Sequence, residues 1–324
     1  MKSFLFLSLF MVFWSTTAQK ITLLHRDSKE PVSFATISFG NGLGTFADGD
    51  GVFSLSRKRY PDVDSLTISS IGYEDLTVAT NGIAPVLYLN PSTAELEAVV
   101  VQARLDGKFK EEDIDAIAHD NYFDCWLPTV ESEIAVKFER VDGNPTKLKT
   151  LLIPIVLEES QSSKKGKLCA FSTLFRMQFY NVNTAGAPME KSSYPTQTFI
   201  ITQKSEEVYE LDVEELGIQI PQEGIFAAIQ VLGYTYPDGR LIDAKKYREI
   251  RTRSGMEKVS TTYRPLLPFT DEINGQQTWV RRIFFNNKTW QLFELSYNPN
   301  SKLVRSGHDN YGMGAVLKVY EPRD

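Results

Sequence analysis

Three histidines, two cysteines and a few paired carboxylates are the residues of this chain best suited to chemistry. A catalytic zinc ion takes three protein ligands and keeps one open position. His25, His119 and His308 lie far apart in the sequence, and none belongs to an HxxE or HExxH motif. We therefore predict no metal site, no zinc peptidase chemistry and no cofactor.

The sequence also lacks the motifs of other enzyme classes, namely a GxSxG elbow, a P-loop and a GxGxxG turn. A glycosidase needs two carboxylates facing each other at about 5 to 9.5 Å. Neighbours on a strand point to opposite faces. The visible carboxylate pairs are all neighbours: Glu158-Glu159, Glu206-Glu207 and Glu214-Glu215. We predict no catalytic residues; the alternative is a polysaccharide hydrolase whose carboxylate pair is assembled by the fold in the C-terminal domain.

Binding chemistry is the stronger possibility, because four aromatic residues offer flat faces for stacking on a sugar or a peptide. They are Tyr234 and Tyr236, in LGYTYPDG, and Trp279 and Trp290, in a strand-rich stretch that also holds Arg281 and Arg282. The alternative is that these rings fill the core of the domain or its ends. The pattern favours that alternative.

Cys125 and Cys169 are the only cysteines. In an oxidising compartment they can form one disulfide. Two free thiols are an equal alternative, because the sequence does not place their Cα atoms within the roughly 4.4 to 6.8 Å that a bridge requires.

The composition is that of a globular protein, with 42% hydrophobic and 23% charged residues. The formal net charge of -6 is mildly acidic. Nucleic-acid binding needs a basic face, so we expect no nucleic-acid partner.

The first 18 residues have the pattern of a secretory signal peptide. Lys2 precedes the apolar run Phe4 to Trp14, and small residues lead to a cleavage site after Ala18. The run is too short for a membrane-spanning helix, which needs about 20 residues. We predict export to the periplasm, the outer membrane or the cell surface, with no membrane span after removal of the signal.

Residues 19–91 contain seven short alternating or β-branched runs separated by turn residues, which indicates an antiparallel sandwich. The runs are ITLLH (21–25), FATISFG (34–40), GTFAD (44–48), VFSLS (52–56), SLTISSIGY (65–73), EDLTVA (74–79) and APVLYLN (84–90). Asp48 and Asp50 resemble the start of a calcium loop, but position 12 is Arg59 rather than glutamate. We therefore predict a hairpin turn there.

Three ordered motifs in this segment carry a family resemblance: DSKEPVSFATISF, GTFADGDGVFSL and LTISSIGYED. Together they resemble the carboxypeptidase-regulatory-like, transthyretin-like domain of surface and outer-membrane proteins of Bacteroidetes-type bacteria. The resemblance implies a β-sandwich and an accessory role without the catalytic domain of the peptidase. Residues 92–104 look like the strand that follows this sandwich in TonB-dependent receptors.

Residues 92–130 are predicted to connect two domains. Ile114, Ile117 and Ala118 have helical spacing within 106–123, which predicts a short amphipathic helix. From residue 131 to 324 the β pattern returns with eight or nine runs, typical of a jelly-roll-like sandwich. The expected fold is thus all-β, with a transthyretin-like and a jelly-roll-like sandwich joined by a short helical connector.

These features predict an exported, non-catalytic binding protein of the cell envelope or surface whose partner is an envelope protein or a glycan. The likeness of residues 92–104 to receptor sequences adds the alternative of a soluble accessory of a TonB-dependent uptake system.

Overall fold

A computed structural model of the chain describes residues 18–40, 42–92, 105, 107–158, 169–242, 247–252, 255–284 and 288–321. The fold within these residues is all-β, as the sequence predicts. The signal segment before residue 18 and most of the receptor-like strand, 93–104, lie outside the described residues. No helix in the described part is long and apolar enough to cross a membrane.

The N-terminal sandwich consists of seven strands, one for each predicted run. They are β1 (Gln19–His25), β2 (Thr36–Gly40), β3 (Leu43–Phe46), β4 (Val52–Leu55), β5 (Ser65–Ser69), β6 (Leu76–Ala79) and β7 (Val86–Leu89). One sheet has the order β4-β1-β7 and the other β3-β2-β5-β6. The strands β1 and β7 pair in parallel, whereas the other pairs are antiparallel.

Alternating apolar residues of these strands form one buried cluster that includes Ile21, Leu23, Phe53 and Leu55. The turn before β4 is closed by Asp48, whose Oδ1 accepts hydrogen bonds from the backbone N–H groups of Asp50 and Val52, at 3.0 and 2.8 Å. These bonds close a tight turn, but the predicted hairpin is wrong, because β3 and β4 on either side of the turn belong to different sheets.

The C-terminal sandwich also consists of two main sheets. Its strands are β8 (Phe109–Ile114), β9 (Cys125–Trp126), β10 (Ser132–Phe138), β11 (Thr146–Pro154), β12 (Ser172–Asn181), β13 (Gln197–Thr202), β14 (Val208–Asp212), β15 (Gln219–Ile220), β16 (Ile225–Tyr234), β17 (Tyr247–Thr252), β18 (Gly255–Ser260), β19 (Leu267–Thr270), β20 (Thr278–Arg282), β21 (Gln291–Leu292), β22 (Asn310–Tyr311) and β23 (Gly314–Tyr320). One sheet has the order β13-β12-β16-β10-β20-β21 and the other β14-β11-β23-β8, with β15 also on β11. Between them lies the largest apolar cluster.

Smaller elements complete the domain. A three-stranded sheet has the order β22-β19-β9, and β17 and β18 form a hairpin. One short α-helix, α1, spans Lys302–Arg305, and 3₁₀ turns occupy Tyr122–Asp124, Val141–Gly143 and Glu214–Leu216.

The predicted connector helix is wrong, because β8 occupies its first half as an edge strand paired with β23. The strand brings Phe109 against Tyr320 and the Glu111 carboxylate to 2.7 Å from Lys149. At the end of the strand, the chain passes so close to β23 that a Cβ on Gly314 would lie 2.3 Å from the Ile114 carbonyl oxygen. Ladder hydrogen bonds to the open edge of β23 therefore outweigh a weak helical spacing.

The two sandwiches pack directly against each other. The Phe46 and Phe284 rings are 5.4 Å apart, and the Phe284 carbonyl accepts hydrogen bonds from the Gly42 N–H at 3.0 Å and the Ser38 hydroxyl at 3.3 Å. A Cβ on Gly44 would lie 2.2 Å from the Phe284 ring. The interface therefore requires glycine at position 44.

Candidate functional site

Two cavities lie where the sandwiches meet. The larger, which we call the cleft, has a volume of about 740 Å³, within the range of roughly 300 to 1,000 Å³ that is usual for small-molecule sites. The N-terminal sandwich contributes the start of β2 and the end of β5 with the turn after it, and the C-terminal sandwich contributes β12, β13, β20 and the segments 190–196 and 288–289.

The base of the cleft is built by the alternation of side chains along β12. Phe175, Met177 and Phe179 point into the core between the two C-terminal sheets. On the opposite face, Arg176 and Gln178 line the cleft together with Tyr180. All three are buried, because the N-terminal sandwich and the segment around Trp290 cover a face that an ordinary sandwich leaves in water.

Arg176, Gln178 and Tyr180 form a polar layer at the base of the cleft. A buried ion pair lies at one end of this layer. Glu133 on β10 is fully buried, and its carboxylate accepts hydrogen bonds from Arg281 Nε at 2.7 Å and from the Tyr180 hydroxyl at 2.8 Å. Arg281 Nη2 donates in turn to the Tyr180 oxygen at 2.8 Å. Burial raises the pKa of Tyr180. For Arg281, burial acts to lower the pKa, but the Glu133 charge and hydrogen bond help to raise it overall.

Arg176 forms the other cationic part of the layer and has no carboxylate among its hydrogen-bond partners. Its Nε donates to Gln230 Oε1 at 2.6 Å, and its Nη atoms donate to the Phe34 carbonyl at 3.3 Å and the Thr36 hydroxyl at 3.2 Å. The guanidinium carbon also lies 5.0 Å above the Phe46 ring. Burial lowers the pKa of Arg176. The side chain therefore joins the two sandwiches and places a positive charge at the cleft.

Gln178 is the polar residue of the layer that lacks a partner for its carbonyl oxygen. The residue is only 5% exposed, and Oε1 accepts no hydrogen bond from any residue that the structure describes. A buried acceptor without a donor costs roughly 1 to 3 kcal/mol, so such groups need an explanation.

The walls of the cleft are polar. Eight serine and threonine residues line it: Ser33, Thr36, Ser69, Ser70, Ser192, Thr196, Thr198 and Thr289. Lys288 is half-buried there, whereas Lys191 and the carboxylates Asp75 and Glu190 are exposed. Among the charged lining residues, Arg176, Arg281 and Lys288 thus lie deeper than Lys191 and the two carboxylates.

Trp279 and Trp290, predicted as stacking residues, lie on the same sheet face as the cleft but pack against the protein. Trp290 is only 6% exposed, and its indole N–H donates to the Met189 carbonyl at 3.2 Å. Its ring lies edge-on to Tyr180 and 4.4 Å from the Arg281 guanidinium. Trp279 is half-buried and contacts Phe226 edge-on. Neither residue lines the cleft, but Trp290 packs against Tyr180 and Arg281, which do.

The two predicted tyrosines are separated from the tryptophans. Tyr234 packs 4.8 Å from the Tyr263 ring, and its hydroxyl accepts a hydrogen bond from the Arg264 backbone N–H at 3.3 Å. Tyr236 is 48% exposed, beside Arg240, and lines the smaller cavity of about 270 Å³. The structure therefore does not bring the four aromatic residues together, and Tyr236 alone lines a cavity.

Cys125 and Cys169 are both free thiols in the structure. Cys125 is buried, and its sulfur lies 3.1 Å from the Asn121 carbonyl. Burial raises the pKa of this thiol to about 12. Cys169 is half-buried.

The histidines take part in local hydrogen bonds. His25 Nδ1 accepts from the backbone N–H groups of Asp27 and Ser28, and His119 Nε2 lies 2.7 Å from the Phe269 carbonyl. His308 Nε2 lies 3.5 Å from the Asp124 carboxylate. Within the described ranges, no three His, Cys, Asp or Glu side chains are grouped as metal ligands.

The residues at the base of the cleft were not predicted as a site from the sequence. Their signal is the alternation FRMQFY in β12, where Arg176 and Gln178 alternate with large apolar residues. A polar face of this kind is expected in water. This face packs against a second sandwich instead. The contacts join residues about 140 positions apart in the chain, such as Arg176 and Thr36.

Comparison of the chain with protein-family models, with curated proteins and with solved structures finds no match. The resemblance to the carboxypeptidase-regulatory-like domain therefore stays a prediction from the sequence motifs.

Proposed function

We propose that this chain is an exported, non-catalytic binding protein of the cell envelope or surface, and that its ligand occupies the cleft between the two sandwiches. One observation carries the choice of site: Gln178 lines the cleft, and its buried carbonyl oxygen has no donor among the described residues. The size of the cleft and the hydroxyl groups around it support a polar ligand of the size of a small saccharide.

The carboxylates at the cleft support binding rather than catalysis. Glu133 is held by Arg281 and Tyr180, so each of its two oxygens already accepts a hydrogen bond. Asp75 and Glu190 lie at the exposed rim, in contact with solvent. A general acid of a glycosidase needs the opposite environment, one that raises its pKa.

The test is glycan-array binding by the full chain and by two variants. Gln178→Met removes the unpartnered acceptor with little change of volume. Gln197→Met is the matched control, since Gln197 begins β13 but does not line the cleft. We expect array binding by the unmodified protein, a loss of at least about tenfold in affinity for Gln178→Met, since one hydrogen bond contributes roughly 1.4 kcal/mol, and no loss for Gln197→Met.

Thermal unfolding separates a binding role of Gln178 from a structural one. Removal of a buried, unsatisfied acceptor leaves the stability unchanged or increased, so Gln178→Met is expected to melt at or above the temperature of the unmodified protein. Full glycan binding by Gln178→Met, or no glycan binding by the unmodified protein, contradicts the proposal.

A further inference from the structure

The polar layer beneath the cleft carries one more positive than negative charge. Arg176 is buried there, the Arg281 side chain is only 10% exposed, and the carboxylate that pairs with Arg281 is the fully buried Glu133. Glu133 is hydrogen-bonded to Arg281, whereas the hydrogen-bond partners of Arg176 are all uncharged. A buried charge is costly unless an opposite charge lies close to it. The site is therefore built to favour an anion.

Arg176 also has donors to spare. A guanidinium carries five N–H groups, and three of them are donated to Gln230, Phe34 and Thr36. None of the described residues accepts the remaining two. Since the guanidinium geometry matches a carboxylate, Arg176 can hold one without losing its present contacts.

Lys288 adds a second cation to the same cleft. It is half-buried, and no carboxylate in the described part of the chain forms an ion pair with it. Gln178 adds a different requirement, because its Oε1 needs a donor. The complementary ligand therefore combines an anionic group with hydroxyl groups.

We propose that the cleft binds an acidic saccharide of the uronic acid class, with its carboxylate toward Arg176 and Lys288 and a ring hydroxyl donating to Gln178 Oε1. This inference rests on the proposed function and specifies its ligand. The eight serine and threonine residues of the walls pair with the other sugar hydroxyls.

The experiment is isothermal titration calorimetry of the full chain with digalacturonate and with its neutral counterpart, digalactose. The variants are Arg176→Met and Lys288→Met. Lys204→Met is the control, since Lys204 is an exposed lysine outside the cleft and its replacement changes the net charge equally. We expect digalacturonate to bind at least about tenfold more tightly than digalactose, and each cleft variant to lose about ten- to a hundredfold for digalacturonate alone.

Equal affinity for the two disaccharides, no binding of digalacturonate, or unchanged selectivity in Lys288→Met overturns the inference. Arg176→Met removes a contact between the sandwiches, so its fold is checked by circular dichroism. Lys288→Met also removes one positive charge from the cleft, and it does so at a half-buried position outside the strands. If a neutral glycan binds and Gln178→Met abolishes that binding, the proposed function stands and the anionic ligand is refuted.

Discussion

The buried pair of Glu133 and Arg281 makes the sharpest prediction about stability. Glu133 is fully buried and accepts two hydrogen bonds, from Arg281 Nε at 2.7 Å and from the Tyr180 hydroxyl at 2.8 Å. Glu133→Gln keeps the size of the side chain but removes the negative charge. It leaves the Arg281 guanidinium, whose side chain is only 10% exposed, without a counter-charge.

Breaking a buried ion pair on one side costs about 3 to 5 kcal/mol. At roughly 2 to 4 °C for each kcal/mol, Glu133→Gln is expected to lower the melting temperature by at least about 6 °C. The control is Glu139→Gln, because the Glu139 carboxylate is 70% exposed beside Lys137. An exposed pair contributes about 0.2 to 1 kcal/mol, so this control should shift the melting temperature by no more than about 4 °C.

The assay is urea unfolding at pH 7, followed by tryptophan fluorescence, for Glu133→Gln, Arg281→Met and the double variant. Because the second replacement removes the charge that the first leaves unpaired, the double variant is expected to lose at least about 2 kcal/mol less than the sum of the single losses. A loss below about 1 kcal/mol for Glu133→Gln, or additive losses in the double variant, refutes the assignment of a buried ion pair.

Three further predictions test the interface, the thiols and the alkaline limit. Gly44→Ala places a Cβ 2.2 Å from the Phe284 ring and is expected to destabilise the protein by about 1 to 3 kcal/mol; an unchanged melting temperature contradicts the packing. A thiol reagent at pH 8 should label Cys169 in the native protein and reach Cys125 only in denaturant, because burial raises the pKa of Cys125 to about 12; mass mapping that finds Cys125 labelled in the native state refutes this. Burial raises the pKa of Tyr263 to about 12 from 10.0, so the stabilisation linked to its neutral hydroxyl is fully present below about pH 10, and about 2.3 kcal/mol of it is lost by pH 12; urea unfolding at both pH values should show a smaller loss for Tyr263→Phe, and equal losses exclude this cause.

Local sequence patterns determined most of the strands. In the N-terminal sandwich each of the seven strands matches a predicted run, because alternation sets which side chains are buried and turn residues such as Asp48 bond within their own turns. The same reasoning found the long strands β10, β11, β12 and β16. These features depend on neighbours along the chain, so the sequence alone is sufficient for them.

The tertiary structure decided the rest, because the relevant partners are distant in sequence. β8 is a strand only because the edge of β23, about 200 residues away, supplies its hydrogen bonds. The alternation FRMQFY places Arg176 and Gln178 on the polar side of a strand, a side that an ordinary sandwich leaves in water. The two residues are buried only because the N-terminal sandwich packs on that side. Burial makes the charge of Arg176 and the missing donor of Gln178 energetically significant.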